Sequence, residues 1–177
     1  MDLIIKVYNL WMQHSEWTRM AFTSMIFKNP DEEAVTARLL RNPADFYYLL
    51  RSFFGERAAS EFRDLLSEHL ILAADLVKAT MAGDTNKANS VNTELYKNAD
   101  EISGLLSSIN PFWNYDEWRN MLYMHLDLAK KMALEMINGN FEDSINTYDN
   151  FEAEVLAMAD IMARGLISYI NHSYRDF

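Results

Sequence analysis

Cysteine is absent from this sequence. No disulfide framework, thiolate nucleophile or cysteine-ligated iron–sulfur cluster can be built from it. Glycine and proline are scarce, at 5 and 3 residues, which leaves little room for a turn-rich β fold. Basic residues are outnumbered, 16 Lys and Arg against 26 Asp and Glu, for a net charge of −10. A phosphate-binding surface needs clustered cations, so no nucleic-acid partner is expected. No run of 18 apolar residues occurs, so no transmembrane span and no membrane partner are expected. The opening residues, MDLIIKVYNLWMQHSEW, lack the continuous apolar core and small-residue cleavage site of a signal peptide. A soluble cytoplasmic protein is therefore expected. Glycine-rich phosphate loops and the GxSxG elbow are missing as well.

What the chain does have is apolar bulk at helical spacing. Half of its 177 residues are hydrophobic, with 11 Met among them. That excludes disorder and suits one domain, taken as 1–177, with a thick and adaptable core. Leu3, Val7, Leu10, Trp11, Trp17, Ala21 and Met25 recur with helical period, and Asn29-Pro30 ends the run. Acidic residues Asp31 to Glu33 favour the start of a second helix. Asn42 is placed to cap a third, with Pro43 in its first turn and Gly55 at its close. Further helices are predicted over about 56–82, 85–109, 115–138 and 141–172. Helices of about 25 residues are about 37 Å long, and tight turns between them imply antiparallel packing. The expected fold is all-α, an up-and-down antiparallel helical bundle.

One stretch organises this pattern. Glu61 to Asp84 recurs later in the chain as Glu117 to Asn140, without a gap. Phe62 matches Trp118, Arg63 matches Arg119, His69 matches His125, and Gly83 matches Gly139. A fainter copy, at almost the same interval, places His14 ahead of His69 and Ala44-Asp45 ahead of Ala99-Asp100. Ala159-Asp160 continues the second series at a slightly longer offset. The reading is three degenerate helix hairpins, about 2–54, 56–110 and 114–173, each with a His on its first helix and an Asp on its second.

His14, His69 and His125 each have apolar neighbours at i±3, i±4 and i±7, so all three point inward. A buried imidazole must be hydrogen-bonded, paired or metal-bound. Asp160, among Leu156, Ala157, Ala163 and Ile167, is also predicted inside. Imidazole and carboxylate on facing helices are the usual ingredients of a transition-metal site in a bundle. The candidate metal ligands are His14, His69 and His125 with Asp45, Asp100 and Asp160, and the expected metal is Fe or Zn. Glu154, which keeps the offset of the His69–His125 repeat, replaces Asp160 if the last turn does not absorb the longer spacing. Against a metal stand the absence of Glu-x-x-His and His-x-x-x-His pairs. The alternative is that the buried His and Asp are structural, in a non-catalytic interaction or regulatory protein that exposes an apolar patch or forms a homodimer. Either way no catalytic residue is assigned, and any small ligand stays unidentified. Asp45 has a plainer reading too, as a helix N-terminal acid. Arg63 and Arg119 read as surface ion-pair partners, His172 as exposed, and Trp113, Tyr115 and Trp118 as a staple for the turn before them.

Several motifs together resemble a known family. They are His14 with Trp17-Thr18-Arg19, Leu39-Leu40-Arg41-Asn42-Pro43 with Asp45-Phe46, Glu68-His69-Leu70, Asn98 to Ile102, Leu106 to Pro111, and Leu122 with His125-Leu126. Over roughly residues 10–167 the chain resembles a family of small all-helical bacterial proteins, commonest in Firmicutes. The resemblance implies a helical fold and weight on the three His motifs, with no established activity. Members sometimes carry the label acetylglutamate kinase. That label does not suit this chain, since such kinases are α/β proteins with glycine-rich phosphate loops. A looser similarity is to metal-binding bundles of the hemerythrin and DinB kinds, whose paired His motifs are missing here.

Overall fold

The amphipathic period translates into helices almost wherever it occurs. The computed structural model describes residues 3–173, so the domain ends expected at residues 1–2 and 174–177 lie outside the described residues. Six helices follow one another: α1 Leu3–Phe27, α2 Glu32–Leu39, α3 Asn42–Met81, α4 Thr85–Ile109, α5 Tyr115–Ile137 and α6 Phe141–Ser173. No strand occurs among the described residues.

The turns are explained by local chemistry. At the end of α3, Asp84 N–H donates to the Ala79 carbonyl and Gly83 N–H to that of Thr80. At the end of α5, Asn140 and Gly139 donate in the same way to Glu135 and Met136. This is the Schellman closure, which needs a left-handed residue just past the helix. Gly83 (φ 69°) and Gly139 (φ 78°) supply it. The next helices start on side-chain caps: Asp84 accepts from Lys87 N–H, and Asn114 from Glu117 N–H, each at 3.0 Å.

Two details depart from the sequence-based expectation. The segments before and after Gly55 are nearly continuous, so α3 runs 40 residues with a break in helical geometry at Gly55 (φ 78°, ψ 178°). Asn42 does not cap α3. It is fully buried, and its Nδ2 donates to the Leu10 carbonyl on α1 at 2.9 Å.

Neighbour order in the bundle closes on itself. Helix α1 packs on α3 and α6, α3 on α4, α4 on α5, and α5 on α6, with the short α2 against α1. One hydrophobic cluster fills the centre, including Trp11, Phe46, Phe62, Leu95, Trp118, Met132, Phe151 and Met162. Burial of such side chains stabilises by about 1.5–3 kcal/mol each. No described helix is long and apolar enough to cross a membrane. Because α1, α3, α5 and α6 all contribute to one core, polar residues on their inner faces must meet one another.

Candidate metal centre

His14 on α1, His69 on α3 and His125 on α5 are each 2–3 % exposed. They meet in the core. The His14 and His125 Nε2 atoms are 3.3 Å apart, and their ring centroids 5.3 Å. The His69 ring lies 6.0 Å from that of His125. The imidazoles of His14 and His69 thus both lie near that of His125.

Two of the rings are held from behind by an oxygen on another helix. His69 Nδ1–H donates to Asn98 Oδ1 at 3.1 Å, and His125 Nδ1–H to Glu154 Oε2 at 3.0 Å. Both bonds span 29 residues. The Asn98 amide is itself oriented, because its Nδ2 donates to the Leu65 carbonyl at 3.0 Å and to Glu68 Oε2 at 3.1 Å. Asn42 stands to His14 as Asn98 stands to His69. Its Nδ2 donates to the carbonyl four residues before its histidine, Leu10, as Asn98 does to Leu65. His14 Nδ1 and Asn42 Oδ1, by contrast, are each buried without a hydrogen-bond partner. The other carboxylate oxygen, Glu154 Oε1, is buried without a partner, as is Thr18 Oγ1 one turn from His14.

Burial sets the protonation of His14 and His69. Desolvation, followed by the charges of His125 and His69, pushes His14 well below 6.5, and the nearby Asn42 amide offsets this only in part. Desolvation and then His125 push His69 down to about 3, against the opposing Asn98 bond. Both are neutral imidazoles at pH 7. With its Nδ1 proton given to Asn98, His69 keeps a bare Nε2.

The three aspartates do not join this cluster. Asp45 lies in the first turn of α3, as its plainer reading expects, and lines a surface recess with Lys6 and Arg41. Asp100 accepts from Arg119 Nε at 2.8 Å and from the Tyr123 hydroxyl at 2.9 Å. Asp160, expected inside, has a side chain 48 % exposed and pairs with Arg164 at 2.8 Å. The reason is helical phase. Asp100 follows Asn98 by two residues, which is about 200° around the helix. The inward positions are instead Asn42, Asn98 and Glu154, evenly spaced at the interval that separates His69 from His125. Glu154 is the alternative acid for His125; Asn42 and Asn98 escape a reading of the sequence as partners, although that constant spacing marks them.

Other surface residues sit as expected. Arg63 pairs with Asp64 at 2.8 Å, and His172 is exposed against the Phe112 ring. Trp113 and Trp118 are buried beside each other, whereas Tyr115 is 39 % exposed. Among the described residues, no group of three or more His, Cys, Asp or Glu side chains is placed so that it could hold a metal ion. No protein-family model, curated protein or solved structure matches the chain.

Proposed function

We propose that this protein binds one divalent transition metal, Zn or Fe, through His14, His69 and His125. The observation that carries the reading is a proton conflict in the core. His125 gives its Nδ1 proton to the acceptor-only carboxylate of Glu154. If both rings are neutral, His125 Nε2 is then a lone pair. His14 can donate to it from Nε2, but its own Nδ1 is then bare against the Asn42 oxygen. With the His14 proton on Nδ1 instead, two lone pairs face each other at 3.3 Å. One added cation on the Nε2 side removes the conflict, and the buried Glu154 carboxylate supplies the countercharge.

The spacing fits a metal in that role. Two nitrogens bound at about 2.0–2.1 Å to one tetrahedral ion stand about 3.3–3.4 Å apart. Oxygen acceptors behind ligand Nδ1 atoms are the usual support of such a site, fixing the tautomer and ring orientation. A metal bound here would act as a Lewis acid or a redox centre, according to its identity. Its residues would come from three helix hairpins in up-and-down antiparallel order, each giving a His from one helix and Asn42, Asn98 or Glu154 from the next. That arrangement, the resemblance to helical bacterial proteins and a cytoplasmic setting belong to the same reading.

A second reading is favoured by one specific feature of the same network. A proton added to His125 would also complete it, through an ion pair with Glu154 at 3.0 Å. The cluster would then be a structural polar core, in a protein with an interaction or regulatory role. Elemental analysis of protein purified without added metal or chelator separates the two. Stoichiometric Zn or Fe, and a rise in Tm when the metal is restored to chelated protein, is the expected result. No bound metal, no thermal shift and no spectral change with Zn²⁺ or Fe²⁺ would end the metal reading.

A further inference from the structure

Beyond the imidazole cluster, one cleft is built for a small organic ligand. It enters between α3, α4 and α5 near the Gly83 turn, is floored by Phe22 of α1, and has a volume of about 300 Å³. That is the lower end of the range for small-molecule sites. The space exists because alanines stand where larger apolar residues would close it. Ala73 and Ala129 lie one turn beyond His69 and His125, and Ala133 continues the row. Ala73 and Leu76 are only half buried, although they lie on the inward stripe of α3.

The lining is apolar apart from Thr80, Asn89, Asn92 and Lys130. Lys130 is the single charged residue among those that line the cleft. Its ammonium is held by the Tyr96 hydroxyl at 2.7 Å and Asp127 at 3.0 Å, which lie outside the lining, and by Asn92 Oδ1 of the lining at 3.3 Å. The Asp127 side chain is 67 % exposed, so that ion pair is solvated and weak. The Asn92 contact is the longest of the three. Either can yield to a better acceptor without leaving a buried group unpaired.

We infer that the cleft binds a medium-chain monocarboxylate, with its carboxylate on Lys130 and Asn92 and its hydrocarbon chain among Leu76, Leu95, Leu126 and Ala129. A chain of about eight carbons is the right scale for a cleft at this end of the range. An ammonium head group would meet the like charge of Lys130, with only the solvated Asp127 carboxylate beside it, and is disfavoured.

Titration calorimetry on chelator-treated, metal-free protein tests this, so its outcome does not depend on the imidazole site. The probes are octanoate, octanol and octylamine. Octanoate is expected to bind, octanol more weakly and octylamine not at all. Lys130→Gln should weaken octanoate about tenfold and leave octanol unchanged. Ala129→Leu fills the cleft and should abolish both. Ala133→Leu takes its place if circular dichroism shows that the first variant does not fold. No octanoate binding at millimolar concentration, equal binding of octylamine, or undiminished binding to the filled variant would each overturn the inference.

Discussion

Glu154 Oε2 accepts the Nδ1 proton of His125 at 3.0 Å, and the second oxygen of the same carboxylate is buried with no partner. A half-used carboxylate in a core is expensive to desolvate unless a positive charge lies close by. In the proposed metal site, His125 would be the route by which that charge is reached. Glu154→Gln keeps the acceptor and the shape but removes the countercharge. Loss of a group supporting a ligand histidine lowers metal affinity about 10–100-fold. The chelator competition midpoint should shift by that factor while the far-ultraviolet dichroism is unchanged. An unaltered affinity would show that Glu154 supports the fold alone.

The equivalent position on α4 is Asn98, and it ties three groups together. It accepts from His69 and donates to the Leu65 carbonyl and Glu68. Asn98→Ala leaves a buried imidazole N–H unpaired, at about 1–3 kcal/mol, and removes the bonds to the Leu65 carbonyl and Glu68, at about 0.5–1.5 kcal/mol each. A loss of about 2–4 kcal/mol in urea unfolding is expected. A loss under about 0.5 kcal/mol, the level of an ordinary surface substitution, would mean that the His69 tether is unimportant.

The contrast between Asn98 and Asp100 shows what could and could not be read from the sequence. Helices and turns were legible because they depend on local information: the helical period of apolar residues, and Gly83 and Gly139 past helix ends. The inward aim of the three histidines was legible for the same reason. Their partners were not. A conspicuous Ala-Asp pair draws attention to Asp100 and Asp160, which lie away from the inward-facing Asn98 and Glu154 on the same helices. Asn42, beside a proline, has the local look of a cap, and only tertiary packing makes it a core residue. Asn42, Asn98 and Glu154 differ in type, so their even spacing carries the relation and their identity conceals it. Distances between rings on separate helices have no local signature at all.

Acid should loosen the metal-free protein earlier than its carboxylates alone would. His14 is held well below 6.5 and His69 at about 3 in the folded chain, chiefly by desolvation. Once unfolded, each takes up a proton near its ordinary value of 6.5. Below that pH the unfolded chain binds more protons, so stability falls as pH falls. For His69 the loss continues down to about 3, where the folded ring is protonated as well. Each ring contributes up to about 1.4 kcal/mol per pH unit in this window. Urea midpoints between pH 7.5 and 4.5 should show the slope, and His69→Gln should remove its share. Stability that is flat from pH 7 to 5 in the parent protein would contradict this account.

The end of α1 offers a test of backbone strain. Asn29 N–H donates to the Ser24 carbonyl at 2.9 Å across Lys28, which has a positive φ of 54°. The left-handed region disfavours side chains with a Cβ by about 1–2 kcal/mol. Glycine escapes that but is more flexible when unfolded, at about 0.5–1 kcal/mol. Lys28→Gly should therefore stabilise slightly, by about 0.5–1 kcal/mol. A fall in the urea midpoint would show that the Lys28 side chain makes a contribution larger than the strain.

Trp113 and Gly165 provide the sharpest steric test. The indole is 2 % exposed, and its Nε1–H donates to the Ile161 carbonyl at 3.3 Å. Its edge lies over Gly165 on α6. A Cβ at Gly165 would stand 1.9 Å from Trp113 Nε1. Contact that short cannot be absorbed without moving the indole, which is hemmed in by Phe54 and Trp118 at ring spacings of 5.5 and 6.2 Å. Alanine is the better helix former by about 1 kcal/mol, which works in the opposite direction. Overpacking of about 1–3 kcal/mol and the loss of a buried hydrogen bond outweigh that gain. Gly165→Ala should be destabilised by about 1–3 kcal/mol, with a change in near-ultraviolet dichroism as the indole is displaced. Equal or greater stability with an unchanged aromatic spectrum would mean that Trp113 does not occupy this position against α6.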